Sequence, residues 1–212
     1  MDENKNWVNW QHYNPDRGIE HIYSIANSAA SYTSHITTTV EGLYIVLTSC
    51  WNNNATITPD SNGSLVTIAG PSNSGIKVAL IYANKNSTIT TTTGTSTGDT
   101  VQGHSYYLIR GYTSSTALNI QTYHGTGAYT VTNGYTSNSI GNFMFGIAAP
   151  WNSTTFTFEN NFTGGLFKSN TYNVSSKYCY SFVAIPDSEV ASCTFRNSSG
   201  YKQMGVGYGK LI

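Results

Sequence analysis

Val40-Glu41-Gly42-Leu43-Tyr44-Ile45-Val46-Leu47-Thr48-Ser49-Cys50-Trp51 is the longest β-favouring apolar run of the chain, with no Gly or Pro after Gly42. From Leu43 to Leu47 both parities are apolar, so each face of this strand must meet something other than water. The run therefore reads as a core strand in the middle of a two-layer fold. A second run, Ile76-Lys77-Val78-Ala79-Leu80-Ile81-Tyr82-Ala83, has the same character. The polar, turn-rich sequence between the two suits a sandwich loop or a short edge strand.

On either side the grammar is the same. Ser34-His35-Ile36-Thr37-Thr38-Thr39 leads into the central run, and Asn52-Asn53-Asn54 breaks it. Thr56 to Thr58 and Leu65 to Ile68 flank Pro59-Asp60-Ser61-Asn62-Gly63, whose Asn-Gly pair predicts a tight hairpin turn with positive φ. The tract Thr88-Ile89-Thr90-Thr91-Thr92-Thr93 reads as an exposed edge strand running into a loop. Ser105 to Tyr112 is the next strong strand, and the second half repeats the pattern through Asn142 to Ala149, Thr155 to Glu159, Lys177 to Ile185 and Tyr201 to Ile212. Roughly a dozen strand candidates and no helix over residues 25–212 predict an all-β fold, an antiparallel, jelly-roll-like β-sandwich forming one domain.

Residues 1–24 differ in kind. They carry six of the twenty charges and hold Trp7, Trp10 and Tyr13 at a spacing of three. Too short to be stable alone, this stretch is expected to be an amino-terminal docking arm. Its two possible seats are the chain's own sandwich and a neighbouring subunit.

Charged residues make up 9% of the chain, ten basic and ten acidic, against about 25% in ordinary globular proteins. No Lys or Arg cluster is present, which argues against nucleic-acid binding. Few basic groups limit self-repulsion in acid, so two habitats fit: an acidic one, or a neutral one in which the surface is adhesive. No run reaches the ~18 apolar residues of a membrane span, and Met1-Asp2-Glu3-Asn4 lacks the start of a secretory signal.

Catalytic and metal-binding patterns are missing. His12, His21, His35, His104 and His124 show no pair at ligand spacing, the carboxylates are scattered, and nothing calls for a cofactor. Gly205-Val206-Gly207-Tyr208-Gly209-Lys210 resembles a phosphate loop only superficially, and no helix follows it. These absences point away from an enzyme.

The remaining candidates are few. Cys179 and Cys193 lie on strands joined by a turn at Pro186, on parities that could bring them together in a disulfide, while an odd count of three leaves at least one thiol unpaired. Seven sequons, at Asn54, Asn62, Asn86, Asn152, Asn161, Asn173 and Asn197, are glycosylation candidates, although the Asn, Ser and Thr content alone accounts for about that many. Trp51 and Trp151 each end a strong strand beside an Asn. They could flank one end of the sandwich as a surface-binding pair, or cap its core.

Gly42 to Trp51, Ile81-Tyr82-Ala83-Asn84, Ser87 to Thr93 and Leu108 to Tyr112 follow one another as in a β-sandwich family of secreted bacterial, phage and archaeal-virus surface proteins, which the chain resembles. Phe143 to Ala149 and Tyr178 to Ile185 continue the match, and Arg110 departs from it where that family has an acidic residue. The uncharged, Thr/Asn/Tyr-rich composition also resembles the vertex, turret or capsid proteins of icosahedral viruses of thermoacidophilic archaea. The resemblance implies a virion structural glycoprotein at the extracellular surface, assembling with other subunits as a homo- or hetero-oligomer and touching host-surface glycans. The alternative it leaves open is a secreted or phage carbohydrate-binding module.

Overall fold

The computed structural model describes residues 17–29, 31–50, 55–71, 75–94, 101–136, 141–150, 156–162, 164–174, 177–188, 190–200 and 202–212. Trp7, Trp10, Tyr13, Trp51, Trp151, Asn54 and Asn152 lie outside them. Sixteen strands and no helix occur among the described residues. They are β1 (Gly18–Asn27), β2 (Tyr32–Thr37), β3 (Gly42–Ser49), β4 (Ala55–Pro59), β5 (Gly63–Ala69), β6 (Ile76–Ala83), β7 (Thr88–Thr93) and β8 (Gln102–Arg110). Then follow β9 (Asn119–Gly125), β10 (Tyr129–Tyr135), β11 (Asn142–Pro150), β12 (Phe156–Asn160), β13 (Leu166–Val174), β14 (Lys177–Ile185), β15 (Ala191–Asn197) and β16 (Lys202–Lys210).

The wiring repeats. Strands β1-β8-β3-β6-β5 form one sheet and β2-β7-β4 its partner, while β9-β16-β11-β14-β13 and β10-β15-β12 form the same two sheets again. Every strand n of the first eight has a counterpart n+8 in the same place, and each set of eight has the two-sheet order of a jelly roll. Register repeats too: Leu43 faces Ile109 between β3 and β8, and Phe143 faces Gly209 between β11 and β16, each partner shifted by 100 residues. So does a polar clamp. Gln102 donates from Nε2 to the carbonyl of Ala29 after β1 (2.8 Å), and Lys202, 100 residues on, donates from Nζ to the carbonyl of Gly127 after β9.

The two five-stranded sheets lie face to face, β1 against β13 and β3 against β11. Leu43, Ile45, Leu47, Val78, Leu80, Tyr107 and Ile109 of one meet Phe143, Phe145, Ile147 and Val183 of the other in a common core. Each three-stranded sheet covers the opposite face of its own unit. Tyr44, Val46, Ala79, Ile81, Tyr106 and Leu108 lie under Ile36, Ile57 and Ile89, and Met144, Ala148, Phe182 and Val206 lie under Val131, Cys193 and Phe195. The antiparallel sandwich expected from sequence is thus built in four layers rather than two. This explains β3, every residue of which is buried: a strand of an inner sheet has no wet face.

Four local expectations change. Gly18 to Ser24, assigned to the arm, belong to β1, where Ile19 pairs with Ile109 and is buried. The Asn62-Gly63 turn is not a hairpin, for β4 and β5 belong to different sheets and neither residue has positive φ. Asp60 organises this crossing by accepting the N–H of Asn62 (2.9 Å), the hydroxyl of Ser87 (2.6 Å) and the N–H of Thr88 (2.7 Å). The Thr tract is the central strand of its sheet, with Ile89, Thr91 and Thr93 buried on one parity. Finally, β14 and β15 lie in different sheets. Cys179 belongs to a cluster with Val101 and Ala149, Cys193 to the core under β10-β15-β12; Cys179 and Cys193 are free, and all three cysteines are buried. The expected disulfide is excluded because Cys179 points from β14 away from the outer sheet, toward Val101 and Ala149, whereas Cys193 of β15 packs on the other face of the β14 sheet.

The glycine run near the carboxy terminus is explained by packing. Met204 and Val206 point into the core of the second unit, while Gly205, Gly207 and Gly209 lie on the other parity, toward the inter-unit core. A Cβ on Gly207 would come within 2.3 Å of the Phe145 ring, and one on Gly209 within 2.8 Å of the Phe143 ring. At the matching places the first unit pairs Ile45 with Tyr107 and Leu43 with Ile109. Large-with-large in one unit becomes larger-with-none in the other, and the packed volume is shared differently.

Candidate functional site

The open groove lies at one end of the outer sheet of the second unit. On the outward face of that sheet, β15 places Arg196 between Thr130 of β10 and Thr157 of β12, in register across three strands. The next outward row is Thr132, Thr194 and Glu159, with the two threonine hydroxyls 2.9 Å apart. Glu159 accepts from Arg196 Nε at 3.3 Å, a diagonal pair exposed on both sides. Alternation makes this face polar, because Val131, Phe195 and Phe158 point the other way into the core.

Beyond the end of the sheet Ala128, Tyr129, Asn197 and Ser198 complete a cavity of about 550 Å³ lined also by Thr130, Thr157 and Arg196. Tyr129 is 45% exposed. One face of its ring stacks on Tyr123 of β9, with centroids 3.6 Å apart and planes 13° from parallel. Tyr123 is itself fixed, donating its hydroxyl to the carbonyl of Thr126 (2.8 Å), with Lys202 Nζ 5.7 Å from its ring centre. Lys202 is buried and donates to the carbonyls of Gly127 and Gly200, and desolvation lowers its pKa. Tyr129 shares the parity of Val131 and Phe156, so its ring lies on the inward side of the sheet end, against Tyr123.

A second polar cluster joins the units. Tyr107 OH lies 2.7 Å from Ser181 Oγ across the inter-unit core, and burial raises its pKa. Ser24 donates to Ser105 Oγ (2.9 Å) and Ser105 to Tyr172 OH (2.9 Å), while His21 Nε2 lies 2.7 Å from Ser24 Oγ. These hydroxyls satisfy one another where two sheets exclude water, which is a structural role. A serine–histidine contact also occurs inside the first unit, Ser34 Oγ to His104 Nδ1 at 2.6 Å, but both residues are buried between its sheets. No three His, Cys, Asp or Glu side chains converge as metal ligands among the described residues.

The glycosylation candidates fall in varied settings. Asn62 and Asn86 are exposed in turns, Asn86 with φ of 65°. Asn161 is exposed, and its Oδ1 accepts the N–H of Ser192 (2.6 Å); Asn173 is exposed on edge strand β13. Asn197 is buried, and its Oδ1 accepts the N–H of Ser199 (2.8 Å), so the folded protein gives a glycan no room there. Cys50 is buried, its N–H bonded to the carbonyl of Gly75 (2.6 Å), and burial pushes the Cys193 thiol up to about 12.

Sequence reasoning did not single out Tyr129, Thr130, Thr157, Arg196 or Ser198. They come from three strands and the bend after β15, up to 69 residues apart in the chain, and the alternation of Thr155-Phe156-Thr157-Phe158-Glu159 was the one visible hint of an outward polar face. Among the described residues no helix is long and apolar enough to cross a membrane. Comparison with protein families, with curated proteins and with solved structures returned no match.

Proposed function

We propose that this protein is a virion structural subunit, a shell, vertex or fibre block that assembles with further subunits at the particle surface. Jelly rolls serve as capsid walls and as lectins, and the fold alone assigns neither. The observation that supports the structural reading is the fusion of two identically wired units through a shared apolar core, giving one four-layered block with polar sheets outermost. A block of this kind suits load-bearing, and its nearly uncharged surface lets copies approach without long-range repulsion. Residues 1–16, with Trp7, Trp10 and Tyr13, supply the docking segment in this reading.

Mass by light scattering tests it, at about pH 3 and pH 7, on the full chain and on a chain lacking residues 1–16. The truncation stops short of β1, since removing residues 1–24 would also take most of an edge strand that pairs with β8. An oligomer that loses mass on truncation is the expected result. A monomer at both pH values, unaffected by the deletion, overturns the assembly reading.

A further inference from the structure

We infer that the buried polar cluster under the outer sheet of the first unit is an acid latch: protonation of His104 releases β2-β7-β4 from the sheet beneath it, while the second unit stays closed. Every part of the latch lies within one unit, so the inference does not depend on the assembly reading.

The repeated wiring supplies the argument, because the second unit shows the same place without the cluster. His104 pairs with Thr48 between β8 and β3, and Met204 pairs with Ala148 at the matching place, both partners shifted by 100 residues. On the outer sheets Ser34, Thr91 and Ile57 lie abreast in the first unit, and Val131, Phe195 and Phe158 in the second. The second unit closes this contact with Met204, Ala148, Val131 and Phe195, all apolar, whereas the first buries His104, Thr48, Ser34 and Thr91 there. Folding does not require polarity at this position, since replacing both partners of a buried hydrogen bond by apolar groups costs little or stabilises. A titratable ring set into such a contact biases it by pH instead.

Hydrogen bonds join the two sheets of the first unit here. Ser34 Oγ of β2 lies 2.6 Å from His104 Nδ1 and 2.7 Å from Tyr106 OH, and Thr93 of β7 donates to Gln102 Oε1. Facing the ring, β2 also contributes Tyr32, and β1 places Ile25 beside it, with Tyr23 farther along against Tyr106. Strands β7 and β4 bring no titratable side chain. The charged group in the row of His104 and Thr48 is Lys77 of β6, and its Nζ donates to the carbonyl of Ala55 (2.6 Å).

The neutral imidazole fits this setting with its contact at Nδ1. Doubly protonated, it donates from both nitrogens, and among the described residues Nε2 has no acceptor and no carboxylate balances the charge. An uncompensated charge between two sheets is driven toward water. Strand β8 is paired on both sides, to β1 and β3, so water reaches the ring by displacement of the three-stranded cover. Desolvation holds the closed ring at a pKa of about 4, and exposure returns it to the ordinary 6.5, so acid favours the open form across that interval.

Hydrogen exchange read by mass spectrometry on the full chain, at about pH 7 and about pH 4 with rates corrected for intrinsic pH dependence, follows each outer sheet separately. Opening of β2, β7 and β4 is expected to rise on the order of a hundredfold toward the lower pH, while β10, β15 and β12 keep their protection. His104→Met, which copies the second unit, and His104→Gln should each keep β2, β7 and β4 closed in acid. Either variant suffices, and the comparison of the two outer sheets in the unaltered chain needs neither. Equal loss of protection in both outer sheets, no loss in the first, or a loss that the substitutions leave in place overturns the inference.

Discussion

His104 is the residue whose setting matters most for acid behaviour. It lies on the face of β8 turned toward the three-stranded sheet, fully buried, with Nδ1 on Ser34 Oγ and no partner for Nε2. Tyr106 OH shares the same serine (2.7 Å), the Tyr32 ring lies tilted at 40° with its centre 5.5 Å away, and desolvation holds the imidazole pKa down at about 4 against an ordinary 6.5. As pH falls below 6.5 the unfolded chain takes up a proton that the folded chain refuses, so stability declines between 6.5 and about 4 and stays low beneath that. At about 1.4 kcal/mol per unit the full loss is roughly 3 kcal/mol. Urea unfolding at a series of pH values should show this decline in the wild type and a flatter profile in His104→Gln; parallel profiles would exclude His104 as the cause. The scarcity of charge that suits an acidic habitat is therefore opposed by one local group, and this was not visible in the sequence because His104 and the exposed His35 look alike there.

At the scale of the strand, β16 shows how a glycine-rich segment earns its place in a core. Gly207 faces Phe145 in register, and an added methyl would meet both that ring and the carbonyl of Asn119 at 2.6 Å on neighbouring β9. Gly207→Ala is expected to lower stability by about 1–3 kcal/mol, the usual cost of overpacking. Phe145→Leu in the same chain should recover part of that loss, because it moves the pair toward the Ile45–Tyr107 pairing of the first unit. Thermal unfolding of the two single variants and the double variant checks this; strictly additive losses would mean that the ring is not the obstacle. Edge strand β5 poses a different problem. It ends its sheet among the described residues, Leu65 and Ile68 are 47% and 45% exposed, and the strand carries no charge. Unguarded edges of this kind promote association. Ile68→Lys should slow aggregation on heating while shifting stability by no more than about 0.5 kcal/mol, as turbidity and unfolding curves would show.

For the whole molecule, the inner sheets set the cooperativity. Each presents a continuous apolar face only because the other covers it, and Tyr107 reaches across to Ser181 at the centre. The fragments 17–112 and 113–212, expressed apart, are expected to aggregate or remain incompletely folded, and to recover a folded signal when mixed or co-expressed. The intact chain should unfold in one calorimetric transition with matching van't Hoff and calorimetric enthalpies. Two resolved transitions, or a soluble and folded single fragment, would show that the units are independent.

The sequence by itself determined the class of fold: period-two alternation, short β-rich runs between turn signals and the lack of any helical period leave only antiparallel sheets. It also determined that Leu43 to Leu47 must be covered on both sides, since no arrangement of polar neighbours could make that run wet. Tertiary structure decided what did the covering. A strand buried on both faces is the same string of residues whether it sits in a two-layer or a four-layer protein, so the second five-stranded sheet was not legible. The same holds for sheet membership. Turn chemistry near Asn62-Gly63 is local, whereas the crossing of β4 and β5 into different sheets depends on Asp60 meeting Ser87 and Thr88, some 27 residues away. The groove was beyond reach for the same reason. Thr130, Thr157 and Arg196 come side by side only when strand register sets them so, and register is fixed by which faces the core requires, not by any residue taken alone.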